Sequence, residues 1–205
     1  MKIRKLLLLH IALIYILTVA SYAGAASAPT GELKTSIDSM LDVLRDKNLS
    51  GPDKKEERRS KISSLIRDRF DFKEMARRSL ARNWKERSVD EKKEFVAIFS
   101  DLLQSSYIGK IEGYTDEKIT FDKEVIKKKD KYAVVSTTIV TKDVNIPIDY
   151  KVIFKRDKWW VYDVVIEGVS FISTYRSQYN KVIKRESYAK LIEKMKSKLD
   201  EINAL

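Results

Sequence analysis

The chain contains no cysteine, and its one histidine is His10. Without cysteine there is no disulfide, no thiol nucleophile and no attachment point for a lipoprotein anchor. With histidine confined to position 10, zinc sites built on histidine or cysteine and a Ser-His-Asp triad are excluded from the rest of the chain. A glycine-rich phosphate loop is also missing. Composition therefore argues against most metal and nucleophilic chemistry, and we expect neither a cofactor nor a metal site.

The N-terminus has the pattern of a secretory signal peptide. Basic residues precede an apolar run over residues 6–19, and small residues follow it. The run is shorter than the ~20 residues of a membrane-spanning helix, so a permanent anchor is the weaker interpretation. We therefore predict export to the periplasm, with residues 1–25 as the signal peptide and residues 26–205 as a single domain.

The chain is basic, with 41 Lys and Arg against 30 Asp and Glu. Removal of the signal peptide takes away Lys2, Arg4 and Lys5, so 38 basic residues remain against 30 acidic ones and the net charge is +8. A basic exported protein could meet anionic lipid head groups. A solvated basic surface that keeps the protein soluble explains the same charge equally well.

Apolar residues at helical spacing predict four helices before residue 114 and two after residue 170. Asp53 and Asp71 can cap the second and third helices, and Ser88 with Glu91 forms a capping box for the fourth. The fourth helix is the longest, and its apolar stripe contains Phe95, Ile98, Phe99, Leu102, Leu103, Tyr107, Ile108 and Ile111. An aromatic stripe of this kind packs in a core more often than it lines a ligand site.

Between residues 118 and 166 the apolar period changes to two, which predicts four strands joined by short turns. The third strand alternates through Val144, Ile146, Ile148, Tyr150, Val152 and Phe154, and the fourth through Trp160, Tyr162, Val164 and Ile166. We expect these two sets to form one continuous apolar wall, with Lys151 and its polar neighbours on the opposite, wet face. A meander with helices before and after it predicts an α+β fold.

Four stretches resemble a known family. They are Phe70-Asp71-Phe72 with Ala76, Leu80 and Trp84; the helix with Glu94, Phe95, Phe99, Leu102, Leu103 and Tyr107; Ile148-Asp149-Tyr150; and residues 160–171 followed by Tyr175-Arg176. In these stretches the chain is similar to the MlaC-type, or toluene-tolerance, family, the periplasmic phospholipid-binding component of the Mla lipid-transport system. The last stretch is the most specific. Ala81 stands where that family usually has glycine, which leaves the turn geometry there in question.

The resemblance implies a carrier and not an enzyme. It implies a curved four-stranded antiparallel sheet that encloses an apolar lipid pocket with several helices, and holds acyl chains while the head group stays near solvent. Its expected partners are phospholipid, an inner-membrane ABC transporter with a periplasmic lipid-handling ring, and an outer-membrane lipoprotein-porin complex. The resemblance further implies a monomer that helps to maintain outer-membrane lipid asymmetry and binds no nucleic acid. The cargo could instead be another lipid, such as a hopanoid.

The lipid-binding residues that the resemblance implies come from the long helix, the last two strands and the segment after them. They are Phe99, Leu103, Tyr107, Ile146, Ile148, Tyr150, Val152, Trp160, Tyr162, Val164, Val169, Phe171, Tyr175 and Arg176. Periodicity alone would assign the apolar ones to an ordinary core. Arg176 would either meet a phosphate at the mouth of the pocket or pair with a neighbouring acid.

Two other classes of function stay open. An α+β pocket could belong to an enzyme that uses Asp163 or Asp149 as a general base, although no acid pair has a recognisable spacing. The apolar wall could also bind protein, as in a periplasmic chaperone or another interaction module. A two-chain lipid that co-purifies with the protein would favour the carrier over both alternatives.

Overall fold

The computed structural model describes residues 28–114, 117–127 and 131–204, and the predicted signal peptide lies outside them. The helices are α1 (Pro29–Arg45), α2 (Lys55–Arg69), α3 (Phe72–Leu80), α4 (Val89–Glu112), α5 (Phe171–Arg185) and α6 (Tyr188–Asn203). Short 3-10 turns occupy Lys47–Leu49, Pro52–Lys54 and Ala81–Glu86. The strands are β1 (Lys118–Lys127), β2 (Tyr132–Val140), β3 (Asn145–Lys155), β4 (Lys158–Ile166) and β5 (Val169–Ser170).

The strands form one curved antiparallel sheet in the order β1-β2-β3-β4-β5, so the predicted α+β meander is confirmed. The sheet has five strands where four are predicted, because the two-residue β5 returns along the last part of β4. Phe70 makes a parallel bridge to Val161 on β4. The α2–α3 junction is thereby attached to β4, and the helices after it lie beside the sheet.

Side-chain caps set several helix starts as predicted. Ser88 and Glu91 form both bonds of the capping box, and the Asp71 carboxylate accepts a hydrogen bond from the Glu74 backbone N–H. The expectation for Asp53 is wrong. That residue lies inside the 3-10 turn before α2, and Lys54 takes the cap position without a side-chain bond. Pro52 favours this turn because its ring already has the backbone angle needed.

Apolar side chains form two large clusters, which we call the helical core and the sheet core. The fully buried part of the helical core is Met75, Ala76, Leu80, Phe95, Ile98, Phe99, Leu102, Leu103, Ile172, Tyr179, Leu191, Ile192 and Met195. That of the sheet core is Leu33, Ala133, Val135, Ile148, Val152, Trp159, Val161 and Val164. Phe70 and Phe171 pack against both. We call the boundary that these two rings bridge the seam.

A buried polar network fixes α1 on the sheet. Arg69 Nη1 donates to Glu32 Oε2 at 2.6 Å and to the Trp159 carbonyl at 2.7 Å, and its Nε donates to Ser36 Oγ at 2.7 Å. The Trp159 backbone N–H also donates to Glu32 Oε2 at 3.1 Å. Because α1 is held this way, Leu33 and Ile37 cover the face of the sheet that carries the sheet core. We call that side the inner face.

The apolar wall predicted on β4 is wrong for Trp160 and Tyr162, because β4 contains a β-bulge. Tyr150 on β3 pairs with Val164 on β4. Val152 lies two residues after Tyr150, but its partner Val161 lies three residues before Val164, so Tyr162 is the extra residue. A bulge shifts the alternation by one position. The inner-face residues of β4 are therefore Trp159, Val161, Val164 and Ile166, and Trp160 points to the opposite side.

Candidate functional site

Apolar side chains at one end of the inner face are incompletely covered. The register places Ile139 opposite Ile146, and Ile148 opposite Ile166. Of these four only Ile148 is fully buried. Val169, which pairs with Ile166, is 60% exposed. A contiguous apolar surface left partly open at the edge of a core is a feature of ligand grooves.

This open end lies next to the seam. The Phe171 ring stacks on Tyr107 of α4 with centroids 4.6 Å apart, and both side chains are only partly buried. Tyr107 packs against the helical core, whereas Phe171 contacts both cores. Two cores joined through few bridging rings can separate more easily than one continuous core, because fewer packed contacts must be broken.

Tyrosines from α4, α5 and β3 bring hydroxyl groups into these apolar surroundings. Burial raises the pKa of Tyr107, and burial followed by the nearby Tyr107 raises the pKa of Tyr175 to about 12. Burial likewise raises the pKa of Tyr150 to about 12. The Tyr179 hydroxyl is buried without a hydrogen-bond partner in the described part of the chain. At neutral pH all four hydroxyls therefore stay protonated and uncharged.

The structure divides the fourteen sequence-predicted residues into four groups. Ile146, Ile148, Tyr150, Val152 and Val164 share the inner face, and Val169 lies at its exposed edge. Tyr107, Phe171 and Tyr175 lie along the seam and the adjoining helical core. Phe99 and Leu103 are fully buried in the helical core. Trp160, Tyr162 and Arg176 lie elsewhere, away from the inner face.

Trp160 and Tyr162 have separate surroundings. Trp160 lines a small pocket of about 220 Å³ between α3 and the β3–β4 turn, and its Nε1 donates to the Lys155 carbonyl at 3.1 Å. Tyr162 packs against the helical core, and the Arg78 guanidinium carbon lies 4.0 Å above its ring centroid. Neither ring continues the apolar wall formed by Ile148 and Tyr150.

Lys151 lies on the face opposite Tyr150, as expected, but it is not a free surface charge. Its Nζ is 2.9 Å from Oδ2 of Asp163, which is 4% exposed. Asp163 also accepts hydrogen bonds from Ser170 Oγ and from the Ile172 backbone N–H, at 2.7 and 3.1 Å. These bonds hold the start of α5. An acid already engaged by three donors is a poor general base, so the geometry disfavours the enzyme that uses Asp163.

A second feature, the basic pocket, was missed in the sequence. It has a volume of about 420 Å³ and is lined by Arg77, Arg78, Ala81, Arg82, Lys85 and Arg176. Four of its cations come from one short run at the end of α3 and the following 3-10 turn, and Arg176 comes from α5. The repeated basic residues between positions 77 and 85 were the available signal. That signal does not show that these side chains share a concave surface with Arg176, because the surface forms only where α3 packs against α5.

Two kinds of feature are absent from the described ranges. Across residues 28–114, 117–127 and 131–204, no group of three or more His, Asp or Glu side chains is placed to hold a metal ion. None of the helices in those same ranges is both long enough and apolar enough to cross a bilayer.

Comparison with known proteins identifies a family and solved structures of similar fold. The model of a family described as MlaC protein matches residues 34–197. Among solved structures, the chain is similar to a phospholipid-binding protein from Ralstonia solanacearum, determined in complex with a phospholipid. The TM-score is 0.75 at 22% sequence identity, over 86% of this chain and 99% of the other. The comparison with curated proteins found no match to the chain. At this identity the structural likeness shows a shared fold.

Proposed function

The chain belongs to the MlaC protein family, and from that premise we propose that it is a phospholipid carrier which holds acyl chains between the inner face and the helices. The Ralstonia protein of similar fold, whose structure contains a phospholipid, supports this proposal. The observation that carries it is the Tyr107–Phe171 stack at the seam, beside the uncovered end of the inner face. In this proposal the acyl chains enter there by parting the two cores.

The energetics of such a carrier are favourable. Removing a 16-carbon acyl chain from water is worth on the order of 12 kcal/mol, at about 0.8 kcal/mol per methylene. That gain is comparable to the whole stability of a domain, so it is large enough to offset the loss of packing at the seam. A lipid with two acyl chains would double this gain in free energy. Ile146, Ile148 and Tyr150 would contact the bound lipid, because they lie on the inner face of the sheet.

Not every sequence-predicted residue keeps its lipid-binding role in this proposal. The proposed lining of the lipid site keeps four of them, Val152, Val164, Val169 and Tyr175, together with the stacked rings of Tyr107 and Phe171. Phe99 and Leu103 would shape the back of the site from α4, since both are buried in the helical core. Trp160 and Tyr162 are not proposed as lining residues, because the bulge turns them away from the inner face. Arg176 belongs to the basic pocket.

Family membership also motivates the wider role. The carrier would act in the periplasm as a monomer and exchange phospholipid between an outer-membrane lipoprotein-porin complex and an inner-membrane ABC transporter. Residues 1–25 would direct export, and residues 26–205 would form the lipid-binding domain. Intact-mass measurement of periplasmic protein checks the export step, with a mature N-terminus expected between Gly24 and Pro29. A mass that retains the first nineteen residues would instead indicate a tethered protein.

The direct test is extraction of the purified protein with organic solvent, followed by identification of the lipids by mass spectrometry. A carrier should release a two-chain phospholipid in a fixed ratio to protein. Another lipid in a fixed ratio, such as a hopanoid, would keep the carrier and change its cargo. If no lipid is found and lipid-free protein takes none up from vesicles, the carrier proposal is wrong, and an interaction module becomes the better explanation.

A further inference from the structure

Two tyrosine hydroxyl groups in the proposed lipid lining lack a hydrogen-bond acceptor. We propose that Tyr107 and Tyr150 donate hydrogen bonds to the ester carbonyl groups of the carried lipid, so that the protein selects lipids whose chains are attached through esters. This inference rests on the proposed carrier function. It deepens that function by naming the chemical class of the cargo and the two side chains that recognise it.

The two tyrosines belong to different cores. Tyr150 lies on the inner face of β3, one inner-face position further in than Ile148, which pairs with Ile166 at the open end. Two residues along a strand span about 7 Å, so Tyr150 lies close behind the open end. Tyr107 comes from α4, and its ring stacks on Phe171 at the seam with centroids 4.6 Å apart. Both rings therefore adjoin the route proposed for the acyl chains.

Neither hydroxyl group has a partner in the described part of the protein. Both side chains are partly buried, and neither hydroxyl makes a hydrogen bond to another described residue. The same holds for Tyr175 on α5, and the fully buried Tyr179 hydroxyl also lacks a partner within those ranges. A buried polar group without a partner is rare and unfavourable. The acceptor that is missing here can be supplied by a bound molecule.

Both groups are suited to donate a hydrogen bond to a neutral acceptor. Burial raises the pKa of Tyr107, and it raises the pKa of Tyr150 to about 12, so both hydroxyls keep their protons at neutral pH. An uncharged phenol can be buried beside acyl chains, whereas a lysine or arginine in its place would bury a charge at much greater cost. This choice of donor favours a neutral carbonyl over the charged phosphate, which stays in solvent.

An ester carbonyl is the acceptor that such a site would meet. In a two-chain phospholipid, the ester carbonyls lie between the charged head group and the acyl chains. With the head group in solvent and the chains on the inner face, they fall just inside the open end, beside Tyr107 and Tyr150. The chains would also displace water from both hydroxyls. A lipid without carbonyl groups would leave these donors unpaired, and a site that is built to form a hydrogen bond rejects such an analogue.

The test is a competition between two phospholipids that differ only in the linkage of their chains. Lipid-free protein is incubated with vesicles that contain equal amounts of dioleoyl phosphatidylglycerol and its dioleyl ether analogue, which lacks the carbonyl groups. The protein is then isolated again, and its lipids are extracted and quantified by mass spectrometry. The measured quantity is the ester-to-ether ratio in the protein divided by the same ratio in the vesicles.

Tyr107→Phe and Tyr150→Phe each remove one hydroxyl and keep the ring. Because neither hydroxyl bonds to a described residue, both variants and their combination should fold, which circular dichroism checks. The matched control is Tyr162→Phe. Tyr162 is also partly buried, and its hydroxyl also makes no hydrogen bond to a described residue, but its ring lies outside the proposed lining. Phenylalanine can keep the contact of this ring with Arg78.

We expect the parent and the Tyr162→Phe control to prefer the ester lipid roughly 25-fold, as for two hydrogen bonds that contribute about fivefold each. Each single variant should lower the preference to roughly fivefold, and the double variant should show none. A second measurement is the infrared carbonyl stretch of bound lipid labelled with ¹³C at its ester carbons. This stretch should lie at lower frequency in the parent than in the double variant, because a hydrogen bond weakens the C=O bond.

Two outcomes overturn the inference. Equal uptake of ester and ether lipid by the parent would show that the linkage is not recognised. An ester preference that persists in the double variant would show that other groups recognise the carbonyls. Failure of the carrier function is seen separately in the total lipid, since the parent would then take up neither phospholipid, whereas failure of the inference alone leaves uptake intact and changes only the ratio.

Discussion

The Tyr107 ring stacks on Phe171 with an interplanar angle of 26°, so one aromatic pair ties the C-terminal part of α4 to the first residue of α5. The backbone N–H of the next residue, Ile172, donates a hydrogen bond to the Asp163 carboxylate on β4 at 3.1 Å. The base of α5 is thus fixed to β4, while its contact with α4 depends mainly on apolar packing. If the two cores part, they should do so at this stack.

A crosslink across the seam should prevent lipid exchange. Because the native chain has no cysteine, Tyr107→Cys with Phe171→Cys introduces the only two thiols, which a short bis-maleimide can join. We expect the crosslinked protein to neither load nor release lipid in a vesicle-transfer assay. The physical reason is that acyl chains need the contact between α4 and α5 to open.

The control is the same double variant treated with a monofunctional maleimide, which adds similar bulk without a link. Wild-type transfer rates in the crosslinked sample would show that lipid enters elsewhere, and the seam would then be ordinary packing.

A carboxylate on the inner face should expel lipid. Tyr150 is half-buried in the sheet core, so Tyr150→Asp would put an unpaired charge against acyl chains, which costs several kcal/mol or forces proton uptake. We expect this variant to lose bound lipid, as measured by extraction and mass spectrometry. Lys151→Glu is unsuitable as its control, since it would place a second acid beside buried Asp163.

Asn145→Asp is the better control. Asn145 lies on the same strand, is exposed, and points away from the inner face, so its new charge stays in water. Circular dichroism must show that both variants fold. A folded Tyr150→Asp protein with wild-type lipid content would exclude the inner face at Tyr150 from the lipid site.

Glu74 should make stability depend on pH in the acid range. Burial opposes its ionisation, but hydrogen bonds from Arg77 and Arg78 outweigh burial and lower its pKa from 4.5 to about 2. A lowered folded-state pKa contributes stability above pH 4.5 that is lost as the pH falls towards 2, and because the paired Arg77 is half exposed and screened by water, we expect about 1–2 kcal/mol in full. Glu74→Gln should therefore cost about 1–2 kcal/mol at pH 7 and about half of that near pH 3.

Urea unfolding of parent and variant at several pH values measures this difference. Glu201→Gln, which removes a carboxylate that is 60% exposed, should change the free energy of unfolding by less than about 0.5 kcal/mol at every pH. A pH-independent gap for Glu74→Gln would show that Glu74 acts through packing alone.

Ala81→Gly should stabilise the protein. Because Ala81 has a positive φ of 49°, glycine removes a backbone strain of about 1 kcal/mol. In a chain of this size that gain should raise the Tm by about 2–4 °C. Ala97→Gly is the matched control, since this exposed residue is inside α4 and glycine there should cost about 1 kcal/mol. If both glycines lower the Tm, the turn at Ala81 is not strained.

Much of the fold could be predicted because its signals are local. The capping box of Ser88 and Glu91 depends on four consecutive residues, and the alternation that marks β3 is a property of the strand itself. The same local signals, together with the run from Trp160 to Phe171, led to the family that the comparison confirms. Tyr107, Ile148 and Phe171 are among the lipid-binding residues that this resemblance implies.

By itself, then, the sequence determined the helices, the antiparallel meander and the family. Only the tertiary structure decided which way Tyr162 points, because a bulge depends on how β4 pairs with β3 and not on the pattern within β4. It also decided that Arg176 meets the basic run around Arg78, since their contact joins residues 98 positions apart. Such long-range contacts follow from helix packing, which local periodicity does not encode.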